Sequence, residues 1–220
     1  MGIRSDILAQ TRRSICDAAL DLFVEKGVAA TKMEDILGNS GISVGSFYYL
    51  FKNKVDLAAT LYLETQQQLF ETLLDKLNSH RKAPAKEGIA ALIRTYLEWV
   101  TDHPKGIYFL TFCRDPEVKN DEREKASEAE FYTTIYTWLQ GLCEQGEIIK
   151  LAPQQYLALL FGPVEYLVRR VLDTVDGDNA ETLKDGFTQS AELLIEATWQ
   201  GLRRFEIEVS ELSTRNGNNG

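Results

Sequence analysis

Apolar residues along this chain recur at three- and four-residue intervals, and strand-type alternation never persists. In TRRSICDAALDLFVEKG, Ile15, Ala18, Ala19 and Leu22 share one helical face, and Gly27 follows as a residue that enters the left-handed region cheaply. In TKMEDILGNSG, Thr31 and Glu34 have the spacing of a capping box, in which hydroxyl and carboxylate satisfy free amides at a helix start. That short helix should end near Ser40–Gly41. Ser43 is placed to cap a second short helix through Phe51, and Asn53 with Asp56 to cap a long one from Lys54. Long helices are predicted over roughly 54–79, 85–102, 105–113, 116–145, 152–175 and 179–205. The breaks between them (HRKAPAKEG, DHPKG, RDP, EQGEIIKLAP, DTVDGDN) are rich in Gly, Pro or Asp. NGNNG closes the chain as an expected flexible tail. The predicted fold class is all-α.

Three short helical segments therefore come first, the second and third joined by a tight turn at Gly41. This is the spacing of a helix-turn-helix, here over residues 32–51. Ile36, Ile42, Phe47, Leu50 and Phe51 form the inward set. Ser43, Val44, Gly45, Ser46 and Tyr49 fall outward, near the N-terminus of the second motif helix. A helix N-terminus in the major groove offers base edges its small side chains and free amides. Gly45 and Ser46 suit close backbone approach. Tyr48 and Tyr49 suit hydroxyl bonds to phosphates, and Lys54 suits another phosphate contact.

The run GVAATKMEDILGNSGISVGSFYYLFKNKVDL closely resembles the DNA-binding region of the TetR (tetracycline-repressor-like) family of bacterial regulators, over about residues 9–69. The resemblance implies an N-terminal three-helix DNA-binding domain at 9–69. A long helix would join it to a ligand-binding and dimerisation domain at 70–205, with a flexible tail at 206–220. It implies a two-fold homodimer on double-stranded DNA, at a palindromic operator, most simply a repressor released by a small-molecule effector. By position, Thr31 and Lys32 match the phosphate-contacting start of the second helix. Ser43, Gly45 and Ser46 match recognition-helix positions near bases or backbone. Tyr48 matches the family's usual tyrosine, Tyr49 stands where histidine is common, and Lys54 matches a phosphate-contacting lysine. Val44 replaces a frequent lysine, so one charged contact is missing, although its methyls suit a thymine methyl. Leu37, Ser40 and Leu50 also depart from the usual residues.

Charge refines this picture. The 220 residues carry a formal charge of −9. Residues 1–60 hold seven basic and seven acidic side chains, so the remainder carries all of it. A neutral head on an acidic body permits DNA binding without predicting it. Three widely spaced cysteines, Cys16, Cys113 and Cys143, read as reduced thiols. No run of about eighteen apolar residues suggests a membrane span, and MGIRSDILAQTRRS lacks an apolar signal core. The expected location is the cytoplasm, with no membrane partner.

The second half is rich in rings. Trp99, Tyr108, Phe109, Phe112, Phe131, Tyr132, Trp138 and Phe161 are candidates for a ligand pocket, with Tyr136 and Tyr166 nearby in sequence. Taken singly, each ring suits the core as well. Glu165, beside Pro163, suits either a cationic or hydroxylated ligand or a salt bridge to Arg169 at i+4, the favoured reading. Val164, Val168 and Val171 on one helix, with Gly186, Ser190, Leu193, Ala197 and Gly201 on the last, form candidate dimer surfaces, because small residues let helices approach closely. His80 and His103 have no ligand partners at metal spacing, so neither metal nor cofactor is expected. No phosphate-cradling glycine motif or nucleophile elbow occurs, and an enzyme is not expected. An all-α adaptor that uses the motif for protein contacts, or a helical enzyme of another kind, is the remaining alternative.

Overall fold

The computed structural model describes residues 3–113, 122–174 and 180–204. Ten helices fill them: α1 (Ile3–Ala30), α2 (Met33–Ser40), α3 (Val44–Leu50), α4 (Lys54–Ser79), α5 (Ala85–Asp102), α6 (Pro104–Phe112), α7 (Glu122–Glu144), α8 (Pro153–Leu160), α9 (Gly162–Thr174) and α10 (Ala180–Leu202). The fold is all-α, as the apolar periodicity predicts. Among the described residues, β pairing is limited to one antiparallel bridge between Ile148 and Arg203. The expected tail at 206–220 and the first turns of the helix expected over 116–145 lie outside the described residues.

Two expected features differ. The capping box at Thr31 and Glu34 does not form. The N-cap of α2 is Lys32, with no side-chain cap, while Thr31 is buried and its hydroxyl donates to Gly27 O at 2.8 Å and Leu22 O at 3.2 Å. The hydroxyl turns back to these carbonyls, beside the interruption of α1 at Gly27 (φ 80°), and so does not answer the amides ahead. The single helix expected over 152–175 is two, α8 and α9, breaking at Phe161. Pro163 has no amide to continue the hydrogen-bond ladder, so it sits in the first turn of a new helix.

The helices close over two apolar cores. In the first, Ile15, Ala19 and Phe23 of α1 meet Ile36, Phe47 and Leu57, all fully buried. Arg12 ties α1 to α4 by a bidentate pair with Glu64, and its guanidinium lies 5.7 Å from the Phe51 ring centre. The second core holds Leu73, Leu77, Ile89, Leu92, Ile135, Leu139 and Leu160. Around it, α10 is held to α5 by Arg94 on Glu192 (2.6 Å) and Lys86 on Glu196 (2.7 Å). Both pairs are exposed, so they fix register more than they add stability. Glu147, from the α7–α8 connection, accepts the Ala85 amide at 2.7 Å and so caps α5, which has no cap of its own.

Helix α4 feeds both cores, with Leu57 and Leu61 in the first and Leu69, Leu73 and Leu77 in the second. The short α6 does so within one turn. Ile107 joins the second core, while Phe109 enters the first, stacked on Phe23 at 5.8 Å and edge-on to Tyr62 at 6.1 Å. Cys113, just past α6, donates its thiol proton to Phe23 O at 3.2 Å. Burial pushes the Cys16 and Cys113 thiols up to about 11, so both stay protonated at neutral pH. All three cysteines are free thiols, as expected.

Phe109 is 1% exposed and joins the cores, so its loss leaves a cavity in the first and unseats α6. Phe109→Ala is expected to lower unfolding stability by about 3–5 kcal/mol, read by urea denaturation followed by circular dichroism. A loss below about 1 kcal/mol would show that the ring does not hold the cores together.

Candidate nucleic-acid interface and cavity

The candidate interface is built from the turn upward. Gly41 takes φ 68°, and its amide bonds Leu37 O at 3.0 Å, closing α2 and reversing the chain. Ser43 then caps α3 as expected, its hydroxyl accepting the Ser46 amide at 3.2 Å and lying 2.9 Å from the Ser46 hydroxyl. Phe47 and Phe51, 5.6 Å apart, anchor the buried face. The other face is open: Val44, Tyr48 and Tyr49 are 56, 57 and 70% exposed, with Ser43, Gly45 and Ser46 beside them. A β-carbon at Gly45 would meet nothing within 4 Å, so within the chain nothing demands glycine there. After α3, Asn53 caps α4 through the Asp56 amide (2.8 Å), and Asp56 accepts the Lys52 amide in return (2.9 Å).

Two residues expected at this surface are turned inward. Thr31 is buried, as described above. Lys54 donates from Nζ to Thr31 O at 2.7 Å and Ala29 O at 3.1 Å. Its ammonium sits on the carbonyl end of α1, where the helix dipole is negative. Lys32, also expected there, is exposed, whereas Lys26 is paired with Asp35 at 3.0 Å.

The second feature is a cavity of about 480 Å³ between α4, α5, α6, α7 and α9. Of the rings expected there, Phe131, Tyr132 and Phe161 line it, as does Glu165. Phe131 stacks on Phe70 at 4.0 Å and 4°, and Phe161 lies 6.0 Å from Phe131. Tyr166, named beside them, lines it too, and the other rings do not. Trp99 is buried against His103 at 4.5 Å, Tyr108 packs on Phe112 at 4.9 Å, and Phe109 belongs to the other core. Phe112 lies under the Arg169 guanidinium at 5.4 Å, and Trp138 packs over Gly88. The favoured Glu165–Arg169 salt bridge does not form, because Arg169 takes that ring instead.

Tyr62, Gln66, Tyr96 and Glu128 line the cavity and fall outside the set expected from the sequence. One signal was legible. Gln66 interrupts the apolar face Tyr62, Leu69, Leu73, Leu77 at core spacing, and an amide at such a position needs a partner. Its Nε2 donates to Glu128 at 3.2 Å; its Oε1 is buried with no hydrogen-bond partner among the described residues. Burial holds the Glu165 carboxyl above its usual range, although the residue keeps solvent contact at the rim. Burial, then Glu165 and Tyr132, raise the Tyr96 phenol.

The candidate dimer residues divide similarly. Val164 and Val168 are each 1% exposed inside their own core, so they are not available to a partner. Val171 packs partly against the same core, and a β-carbon at Gly201 would meet Leu159 of the same chain at 3.5 Å. The exposed part of the set is Leu193, 72% open, and Ala197, with Gly186 and Ser190 half-buried on that face.

An exposed recognition-type helix on a compact head, joined by shared helices to a larger helical body with a cavity, defines the class of helical DNA-binding regulators. Residues 15–61 match the sequence profile of the bacterial regulatory proteins of the tetR family. The fatty acid metabolism regulator protein of Bacillus subtilis is 26% identical over 162 residues, 70% of this chain and 79% of its own. The transcriptional regulator RutR of Escherichia coli is 25% identical over 211 residues, 92% of this chain and 95% of its own. The crystal structure of FadR from Bacillus subtilis in complex with stearoyl-CoA superposes with a TM-score of 0.71 at 19% identity, over 86% of this chain and 98% of that one. Residues 15–61 thus carry a TetR-family DNA-binding region, and the chain is similar to DNA-binding transcriptional regulators along most of its length. Its relatives are regulators and not enzymes. Among the described residues, no group of metal-binding side chains occurs, and no helix is long and apolar enough to cross a membrane.

The geometry of Lys54 generates a prediction. Lys54→Ala should destabilise the head by about 1 kcal/mol, the loss of charge-assisted bonds at a half-exposed site, and weaken all DNA binding. If the ammonium serves Ala29 and Thr31, the slope of log affinity against log salt stays unchanged. A slope lowered by about one would instead assign Lys54 to a phosphate.

Proposed function

We propose that this regulator is a repressor that binds a palindromic operator as a homodimer and leaves it when a small molecule fills the cavity. One observation carries the reading: α6 has one side in the cavity and the other in the core under α3. Ile107, Leu110 and Thr111 line the cavity, while Phe109 packs on Phe23. Tyr62 of α4 touches both, lining the cavity and meeting Phe109. A ligand that displaces α6 or the lower part of α4 therefore tilts the head against the body. It releases DNA only if it binds better to the state whose paired recognition helices are mis-spaced. The operator must then weaken the ligand by the same factor.

In this reading Ser43, Val44, Gly45 and Ser46 face base edges. Lys32, Tyr48 and Tyr49 face the phosphate backbone, and Lys54 holds α1 and α4 at the angle that presents them. One motif reads few base pairs, so tight binding needs two copies at half-sites about one turn, or a multiple of it, apart. The open face of α10 supports such a dimer. Leu193 projects there among Gly186, Ser190 and Ala197, with Tyr166 of α9 68% exposed. Small residues permit close helix approach, and the two large side chains supply apolar area. As a DNA-binding protein it would act in the cytoplasm.

Selection of bound duplexes from a random pool should return a site with two-fold symmetry, and Ser46→Ala should change the bases preferred in each half. Asymmetric single sites from the parent chain, or an unaltered preference in a folded Ser46→Ala variant, would refute the assignment. Leu193→Glu should give monomers by sedimentation that keep their helices and bind the selected site about 30-fold more weakly, a loss of about 2 kcal/mol. A Leu193→Glu dimer with unaltered affinity would remove α10 from the interface.

A further inference from the structure

From the cavity's donors and acceptors we infer the class of its ligand: an organic ammonium ion with N–H donors on a compact apolar body. The inference rests on the reading of the cavity as the effector site. It starts from Gln66, which is 5% exposed on the cavity wall. Its Nε2 donates to Glu128, and its oxygen, just behind the cavity wall, is a buried acceptor with no partner among the described residues. A buried acceptor without a donor is costly, and a ligand N–H or O–H relieves that cost.

Charge narrows the choice from donors in general to cations. The cavity's charged lining is Glu128, Glu165 and Arg169. Arg169 lies over Phe112. Glu165 pairs with no cation among the described residues, and its surroundings already disfavour its negative charge. A bound cation offsets that penalty, whereas a bound carboxylate or phosphate adds to it. The rings agree. Phe70 and Phe131 stack face to face, with Phe161 and Tyr132 alongside, and ring faces attract cations while they shield the apolar body from water. An anion would face those same ring faces unfavourably.

The test uses three probes that share one body, phenylbutylamine, phenylbutanol and phenylbutanoate, titrated into the full chain by calorimetry at neutral pH. The amine should bind about tenfold tighter than the alcohol, and the carboxylate weakest. Glu165→Gln, at the solvent-touching rim, should weaken the amine about fivefold and leave the alcohol unchanged. Gln66→Leu should weaken both donors. Where that variant fails to fold, Glu165→Gln alone decides. Equal affinities, tighter binding of the carboxylate, or no amine binding at millimolar concentration would overturn the inference. Affinity for the selected duplex is measured alongside. Amine binding that leaves DNA affinity unchanged would withdraw the effector reading while the cation site stands. Release of DNA by phenylbutanoate, without amine binding, would do the reverse.

Discussion

Everything in this molecule turns on how Phe109 is seated. A ring from a nine-residue helix of the body lies 1% exposed inside the head, between Phe23 and Tyr62. Without it the two cores would be joined by α4 and by the partly buried Leu110 of α6 alone. With it, α4 and α6 form two sides of a rigid wedge. Lys105 on Asp21 at 2.9 Å and the Cys113 thiol on Phe23 O pin the two ends of α6 to α1. Close-packed interiors do not deform continuously, and in the proposed function that rigidity is what would carry a change at the cavity to the head.

The head was legible almost residue by residue because its signals are local. A cap at Ser43, a left-handed glycine at Gly41 and a cap at Asn53 each depend on neighbours within four residues, and each forms. The departures in the head come from partners that compete for the same side chain. Thr31 has the spacing of a cap, but the carbonyls of Leu22 and Gly27 take its hydroxyl. Lys54 has the position of a phosphate ligand, and in this structure its ammonium is held by Thr31 O at 2.7 Å and Ala29 O at 3.1 Å.

The body was legible in class and less so in detail. Periodicity shows that α5, α7 and α9 each carry rings. Which rings meet a cavity depends on the rotation of each helix about its axis, which only packing sets. Thus Phe131 and Phe161 reach the cavity, whereas Trp99 turns to His103 and Phe112 to Arg169. The same ambiguity put Val164 and Val168 on a dimer face, when both lie in their own core. A more informative cue was the misfit. Gln66 and Glu128 are polar residues facing a cavity, and polar groups stay buried where function or a partner repays the desolvation.

The charge pattern completes the physical picture of the head. Of its cations, Arg12 is held by Glu64, Lys26 by Asp35, and Lys54 by carbonyl oxygens. Arg13, Lys32 and Lys52 remain exposed. So small a set cannot anchor the head to DNA by counterion release alone. In the proposed function, neutral contacts would carry more of the binding: tyrosine hydroxyls at 48 and 49, and backbone amides at the start of α3 left open beyond the one that Ser43 satisfies. The acidic body works in the same direction, because its −9 repels a duplex that approaches it and leaves the neutral head as the favourable side. Weak attraction with strong orientation is what a neutral head on an acidic body provides.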